Sequence, residues 1–217
     1  MKKILIIFSL IVSATGAFAQ VPLKPVQIDS LVTISLPEGY NKKDTLGQSI
    51  YSGKAKYGYM VVIRAPNADN NKPLKKERDL NKVLQDYIKG IRGQAEGSTQ
   101  NVRDTTIGHL KAKTFTLETD QGAGKQERNF IIIYTQEVTY TIEYSYEELR
   151  KDVMKDEYKA YSASIKISPE LKRTDQYLSM SKGMSPALKY ALYGGVPLII
   201  LIIIIVLVRR KKKTQEI

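Results

Sequence analysis

The chain has 217 residues, no cysteine, one histidine and a formal net charge of +12. That length suits one domain with one core plus extensions, and the missing thiols exclude disulfides, thiolate metal sites and a lipid on an N-terminal cysteine. Much of the charge lies at the ends: residues 20–189 hold 27 Lys and Arg against 21 Asp and Glu, a surplus of six. No basic helix or nucleic-acid motif accompanies that surplus, so no nucleic acid partner is expected.

Residues 1–19 have the three parts of a secretory signal: Lys2 and Lys3, an apolar stretch from Ile4 to Val12, and Ala17 and Ala19 in an A-x-A arrangement. Cleavage between Ala19 and Gln20 is expected. An uncleaved signal would become a second anchor with its lysines inside, leaving the topology unchanged.

Val32 and Ile34 alternate with polar neighbours, which predicts a strand that Pro37 and Glu38-Gly39 end. The segments "QSIYSG" and "GYMVVIR" read as a hairpin turning through "KAKY". After the polar loop "APNADNNKP", the residues Leu80, Val83, Leu84, Tyr87, Ile88 and Ile91 recur at helical steps. Gly90 and Gly93 weaken the second half of that helix, and Gly97 is expected to mark its end. Four strands follow, "NVRDTTIG", "LKAKTFTLET", "ERNFIIIYT" and "VTYTIEYSY", with turns at Gly122 and Gly124 and at Gln136-Glu137. Ile131, Ile132 and Ile133 are apolar on both faces, which predicts an interior strand. In the last strand Tyr140, Ile142, Tyr144 and Tyr146 share a covered face, and Thr139, Thr141, Glu143 and Ser145 a wetter one. A second helix is expected from Lys155 to Ile165, stopped by Pro169. Residues 168–189 are polar and follow neither period, and read as a tether with a short turn at Tyr177 to Met180.

From Tyr190 to Val208 nineteen residues carry no formal charge, giving a helix of roughly 28 Å, close to a bilayer's hydrocarbon thickness. Its Val, Leu and Ile residues favour insertion by about 4 to 7 kcal/mol. Tyr190 and Tyr193 suit the interface, and Arg209, Arg210, Lys211, Lys212 and Lys213 should keep the tail cytoplasmic. The expected layout is a signal peptide at 1–19, an extracytoplasmic domain at 20–167, a tether at 168–189, a span through the lipid bilayer at 190–208 and a basic tail at 209–217. That places the chain in a bacterial cytoplasmic membrane as a single-pass protein. Gly194-Gly195 ahead of the apolar run also fits a processed sorting tail, but no LPxTG-type sequence precedes it.

The order of elements, with "ISLPEGY", "LQDYIKGI", "GHLKAKTFTLET", "ERNFIIIYTQEVTYTIEYSY" and "YKAYSASIKI", resembles the PsbP-like fold shared with nuclear Ran-binding relatives over roughly residues 28 to 168. The resemblance implies an α+β domain with an antiparallel sheet sandwiched between helices. It also implies a noncatalytic role in binding proteins or supporting an assembly. It maps no binding residue onto this chain.

Motifs able to carry chemistry are thin. His109 has no nucleophile elbow or second histidine to work with, and an exposed turn histidine is the simpler reading. "GAGK" at Gly122 to Lys125 has Thr119 where a phosphate loop needs Gly and Gln126 where it needs Ser or Thr. Asn67, Asp69 and Asn71 alternate as calcium ligands do, but Lys72 and Arg78 stand at the positions that need Gly and a carboxylate. Glu147 and Glu148 are adjacent, and adjacent side chains point apart, which does not suit a pair of acids across a cleft. No cofactor, metal or catalytic residue is therefore expected. Twelve tyrosines lie in residues 20–189 and, without tryptophan, must supply much of the aromatic packing. If a patch for a protein, peptide or envelope partner exists, Tyr51, Tyr57 and Tyr59 on the early hairpin are the choice. The expected function is a membrane-anchored binding or assembly-support module. The alternatives are an envelope hydrolase using carboxylates and a membrane-linked signalling adaptor.

Overall fold

The computed structural model describes residues 22–179, apart from 69–71, 121 and 123. The expected signal peptide, bilayer span and basic tail lie outside the described residues, as do Asp69 and Asn71 of the polar loop. Among the described residues no helix is long and apolar enough to cross a membrane.

The fold is α+β and built around β9 (Val138–Glu147), the middle strand of a seven-stranded antiparallel sheet. On one side of it lie β5 (Tyr59–Pro66), β4 (Gln48–Lys54) and β3 (Asn41–Thr45); on the other, β8 (Lys125–Tyr134), β7 (Leu110–Asp120) and β6 (Ser98–Ile107). The expected hairpins pair in register, with Tyr51 opposite Val62 and Ile131 opposite Ile142. A smaller antiparallel sheet in the order β1 (Leu23–Gln27), β2 (Val32–Pro37), β10 (Lys166–Ile167) lies apart. Strands β1 and β3 are absent from the sequence reading for a physical reason. Both are edge strands, and "NKKDT" of β3 pairs on one side only and buries no apolar side chain, so it has no period to detect. Pro25 in β1 sits where a missing donor is tolerated.

Two apolar clusters cover the two faces of the large sheet. On one face Val32, Ile34 and Leu36 of β2 and Tyr161 of helix α2 (Lys155–Ala163) meet Met60, Val62, Ile131 and Ile133 and the β9 residues Tyr140, Ile142, Tyr144 and Tyr146. On the other, helix α1 (Glu77–Ala95) lays Leu80, Leu84 and Ile88 on Phe115, Leu117, Phe130 and Ile132. Periodicity located α1 correctly because those residues form one stripe. Its start is held by Asp79, whose carboxylate accepts the Lys76 backbone N–H at 3.0 Å.

Several boundaries move. Helix α2 ends at Ala163, short of the expected Ile165, because the Ser164 side chain ties the last turn to β2. Its Oγ donates to the Tyr161 carbonyl at 2.7 Å and accepts the Ser35 N–H at 2.9 Å, turning the chain into β10 against β2. The left-handed residue after α1 is Glu96, at φ 49°, and not Gly97. Gly97 is needed for a different reason: a Cβ there would stand 2.6 Å from the Glu118 carbonyl oxygen. The second face of β9 is not wetter, since Thr139, Thr141, Glu143 and Ser145 are all buried. Nor does a tether begin at 168. Leu171, Gln176 and Tyr177 are buried, and the fully buried Gln176 side chain donates to the carbonyls of Lys111 and Tyr134 at 2.7 and 2.8 Å while accepting the Lys111 N–H at 2.8 Å. The domain runs to Ser179.

The glycines of α1 and of the turn after it should respond oppositely to alanine. Gly97→Ala forces backbone apart and should cost about 2 kcal/mol. Gly93→Ala meets nothing within 4 Å and should add roughly 0.5–1 kcal/mol through helix propensity. Urea unfolding of the two variants checks both signs.

Candidate functional site

Three acids from distant parts of the chain are gathered by β9. Its three core-facing tyrosines each donate a hydroxyl to a carboxylate: Tyr140 to Asp29 at 2.7 Å, Tyr144 to Glu157 at 2.7 Å and Tyr146 to Glu127 at 2.6 Å. Asp29 also takes the Arg64 guanidinium at 2.7 Å and the backbone N–H groups of Leu31 and Val32 at 2.9 Å. Burial works to raise its pKa, but the hydrogen bonds from Tyr140, Arg64 and the two backbone groups outweigh it and hold the carboxyl below its ordinary 3.8. Glu127 behaves alike: burial pushes it up, and the Lys151 ammonium at 2.6 Å and the Tyr146 hydroxyl bring it below 4.5. Glu157 accepts the N–H groups of Lys56 and Tyr57 at 2.8 and 2.9 Å, pinning α2 to the β4–β5 turn. Desolvation and these acids raise the phenols of Tyr140, Tyr144 and Tyr146 well above 10.0, so they remain donors at any physiological pH. Among the described residues no buried side-chain polar atom lacks a partner, and no group of three or more metal-ligating side chains assembles.

The early-hairpin tyrosines do not form one patch. Tyr51 is buried and donates to the Ile28 carbonyl at 3.0 Å. Tyr57 is half-buried in the turn, with the Lys56 ammonium 4.7 Å from its ring centroid. Tyr59 is 43% exposed on the opposite face from Tyr51, because it lies three residues before Val62, the register partner of Tyr51. His109 is exposed and bonds to the Leu171 carbonyl. Gly122 and Gly124 take positive φ in the β7–β8 hairpin. Glu147 and Glu148 are exposed, and Glu147 lies 3.4 Å from Arg150. Asn67 is committed to the β8–β9 turn, donating to the Thr135 carbonyl at 2.7 Å and accepting the Thr139 hydroxyl at 2.8 Å.

The open concavity lies elsewhere, on the α1 face, and the sequence reading missed it. Helix α1 covers β7 and β8 but leaves a groove of 810 Å³ along its second half, bounded by Tyr87, Gly90, Ile91 and Gln94 on the helix and Ile63 of β5 opposite. Its floor is the Arg128–Glu143 pair, bonded twice at 2.6 and 2.8 Å, with the guanidinium also 5.1 Å from the Phe130 ring centroid. Tyr87 closes one end through a 3.0 Å hydrogen bond with Thr141. At the other end, Thr119 and Gln126 also line a second hollow of 520 Å³ beside Leu149, which is 95% exposed. The sequence signal was Gly90: a glycine in an exposed helix interior, where a Cβ would meet nothing within 4 Å, has no packing reason inside the domain.

A seven-stranded antiparallel sheet covered by α1 on one face and by α2 and a small sheet on the other is a PsbP-like architecture. The solution structure of the cyanobacterial PsbP (CyanoP) from Synechocystis sp. PCC 6803 is similar with a TM-score of 0.51 and 15% sequence identity, over 70% of this chain and 96% of that one. The crystal structure of LpqN, involved in cell envelope biogenesis of Mycobacterium tuberculosis, gives a TM-score of 0.45 at 11% identity, over 68% of this chain and 91% of that one. No family model matches the chain, and no curated protein matches it significantly. At these identities the likeness is one of fold.

Because Asp29 is ionised and bonded when folded, its stabilisation is complete above 3.8 and is lost as pH falls through its lower folded value. Asp29→Asn should cost about 2 kcal/mol at neutral pH. It should also flatten the acid limb of a stability-against-pH curve measured by urea unfolding.

Proposed function

We propose that this chain is a membrane-anchored binding or assembly-support module that holds its PsbP-like domain outside a bacterial cytoplasmic membrane and seats a protein or peptide in the α1 groove. The observation that carries the reading is that the acids bonded by β9 are filled by donors while the α1 groove stays open. Asp29, Glu127 and Glu157 each accept two or more hydrogen bonds, Glu157 from the rim of a 330 Å³ hollow, whereas the groove is lined by Tyr87, Ile91, Ile63 and Gln94 around a satisfied ion pair. A carboxylate hydrolase needs an acid held above its ordinary value at a cleft, and Asp29 and Glu127 are held below theirs. A concavity that mixes apolar side chains with fixed polar groups suits recognition of a protein or peptide. The bare helix surface at Gly90 and Gly93 lets another backbone approach closely, which offsets the helix propensity lost there.

Two measurements test the parts separately. The intact chain should resist carbonate extraction from membranes, as the apolar run at 190–208 requires; release of the whole chain removes the anchor. A photo-crosslinker at Gln94 in native membranes should give one defined adduct that Gly90→Gln abolishes, while Gly90→Gln leaves thermal stability unchanged or raised. An adduct that survives Gly90→Gln, or appears equally from a crosslinker at Thr106 on β6, would show that the groove is not the docking site.

A further inference from the structure

The chain leaves the described domain at a fixed place. The Leu178 N–H donates to the Leu74 carbonyl and the Ser179 N–H to the Lys75 carbonyl, both at 2.9 Å, so the last residues pair with the segment ahead of α1. Tyr177 is buried, with the Arg173 guanidinium 4.8 Å from its ring centroid, and the Gln136 N–H donates to the Asp175 carbonyl at 2.7 Å. The exit is therefore at the end of the sheet that carries the β8–β9 turn. Ten residues, 180–189, separate Ser179 from the expected span, and fully extended they reach at most about 35 Å. An anchor at 190–208 would keep Ser179 within that reach of the bilayer.

The surface around Ser179 is basic. Lys72, Lys75, Lys76 and Lys172 are exposed, and among the described residues none of them forms an ion pair. The nearest acids are occupied: Asp79 and Asp175 accept the backbone N–H groups of Lys76 and Lys172 at 3.0 and 2.6 Å, and Glu77 lies 3.5 Å from Lys111. Glu170 and Glu137 are exposed at the same end and oppose the lysines only in part. Two large apolar side chains are exposed on this surface. Leu178 is 53% exposed at the exit itself. Leu46 is 97% exposed at the tip of the β3–β4 hairpin, in a left-handed conformation at φ 50° that a leucine adopts only at a cost. The register puts that tip at the same end, since Ser49 pairs with Arg64 and Arg64 with Tyr140 near the start of β9.

We infer that this end of the sheet is a lipid-docking surface: the four lysines contact anionic phospholipid headgroups, and Leu178 and Leu46 enter the boundary between headgroups and acyl chains. The inference rests on the anchored reading above and adds an orientation to it. Exposed ammonium groups gain from a negative leaflet, each by about fivefold in partitioning, and an exposed leucine that gains nothing in water gains at a lipid interface. With this end on the lipid, the β7–β8 hairpin and Leu149 at the far end of the sheet point away from it.

The test uses the full chain in vesicles, and the absence of cysteine makes single-site labelling clean. A fluorophore is placed through Thr174→Cys at the exit end, or through Leu149→Cys at the far end. The vesicles are phosphatidylcholine alone, or two parts phosphatidylcholine to one part phosphatidylglycerol, each with a nitroxide-headgroup lipid as quencher. Quenching at Thr174→Cys should be several-fold stronger in the anionic vesicles and fall to the neutral level in high salt or with Lys75→Gln, Lys76→Gln and Lys172→Gln combined. Quenching at Leu149→Cys should be weak in all. Equal quenching at the two ends, or no dependence on phosphatidylglycerol, overturns the docking while a carbonate-resistant chain keeps the anchor. A chain released by carbonate overturns both.

Discussion

Three phenol hydroxyls on one strand decide how this domain holds together. Burying a carboxylate is expensive unless it keeps its charge and fills its hydrogen-bonding capacity. Tyr140, Tyr144 and Tyr146 of β9 meet that condition for Asp29, Glu157 and Glu127, which come from three different parts of the chain. Asp29 anchors the turn before β2, Glu157 anchors α2, and Glu127 anchors Lys151 beyond the end of β9. The Tyr144 ring packs as well as bonds, tilted against Tyr158 and Tyr161 at centroid distances of 5.7 and 6.2 Å. A chain without tryptophan or cysteine thus builds one layer of its structure from tyrosines whose apolar body and polar tip are both used.

The face under α1 holds none of those three acids and carries the groove. Helix α1 has an apolar stripe that fits β7 and β8, and its second half gives up bulk at Gly90 and Gly93. The groove is what a helix leaves when it covers part of a seven-stranded sheet, and its floor stays satisfied because Arg128 and Glu143 pair with each other. The fold resembles that of a cyanobacterial PsbP at low identity, and such a scaffold sets where a groove can form but not what fills it.

The parts legible in the sequence are those with a period. Leu80, Leu84 and Ile88 showed the helix and its buried stripe, and the alternation of Tyr140, Ile142, Tyr144 and Tyr146 showed both the last strand and its inner face. What could not be read depends on contacts between distant segments. The partners of the β9 tyrosines sit at positions 29, 127 and 157, and nothing local marks them. Tyr51 and Tyr59 look like neighbours, but the length of the intervening turn sets their parity and sends them to opposite faces. The wet face of β9 was read from Thr and Glu side chains that a cross-strand arginine and a helix tyrosine bury. Polar composition also hid residues 168–179, where a buried glutamine works beside only two apolar anchors, Leu171 and Tyr177.

That glutamine has a mechanical meaning. Its amide grips the main chain of β7 and β8 at three points from inside the core, three residues before the polypeptide leaves for its expected attachment. Any tug between attachment and domain would load those bonds, together with the Leu178 and Ser179 pairing, before it reached the sheet. The domain is built to resist being peeled from its C-terminal side, since tension arriving there would be shared between two interior strands and the segment that leads into α1.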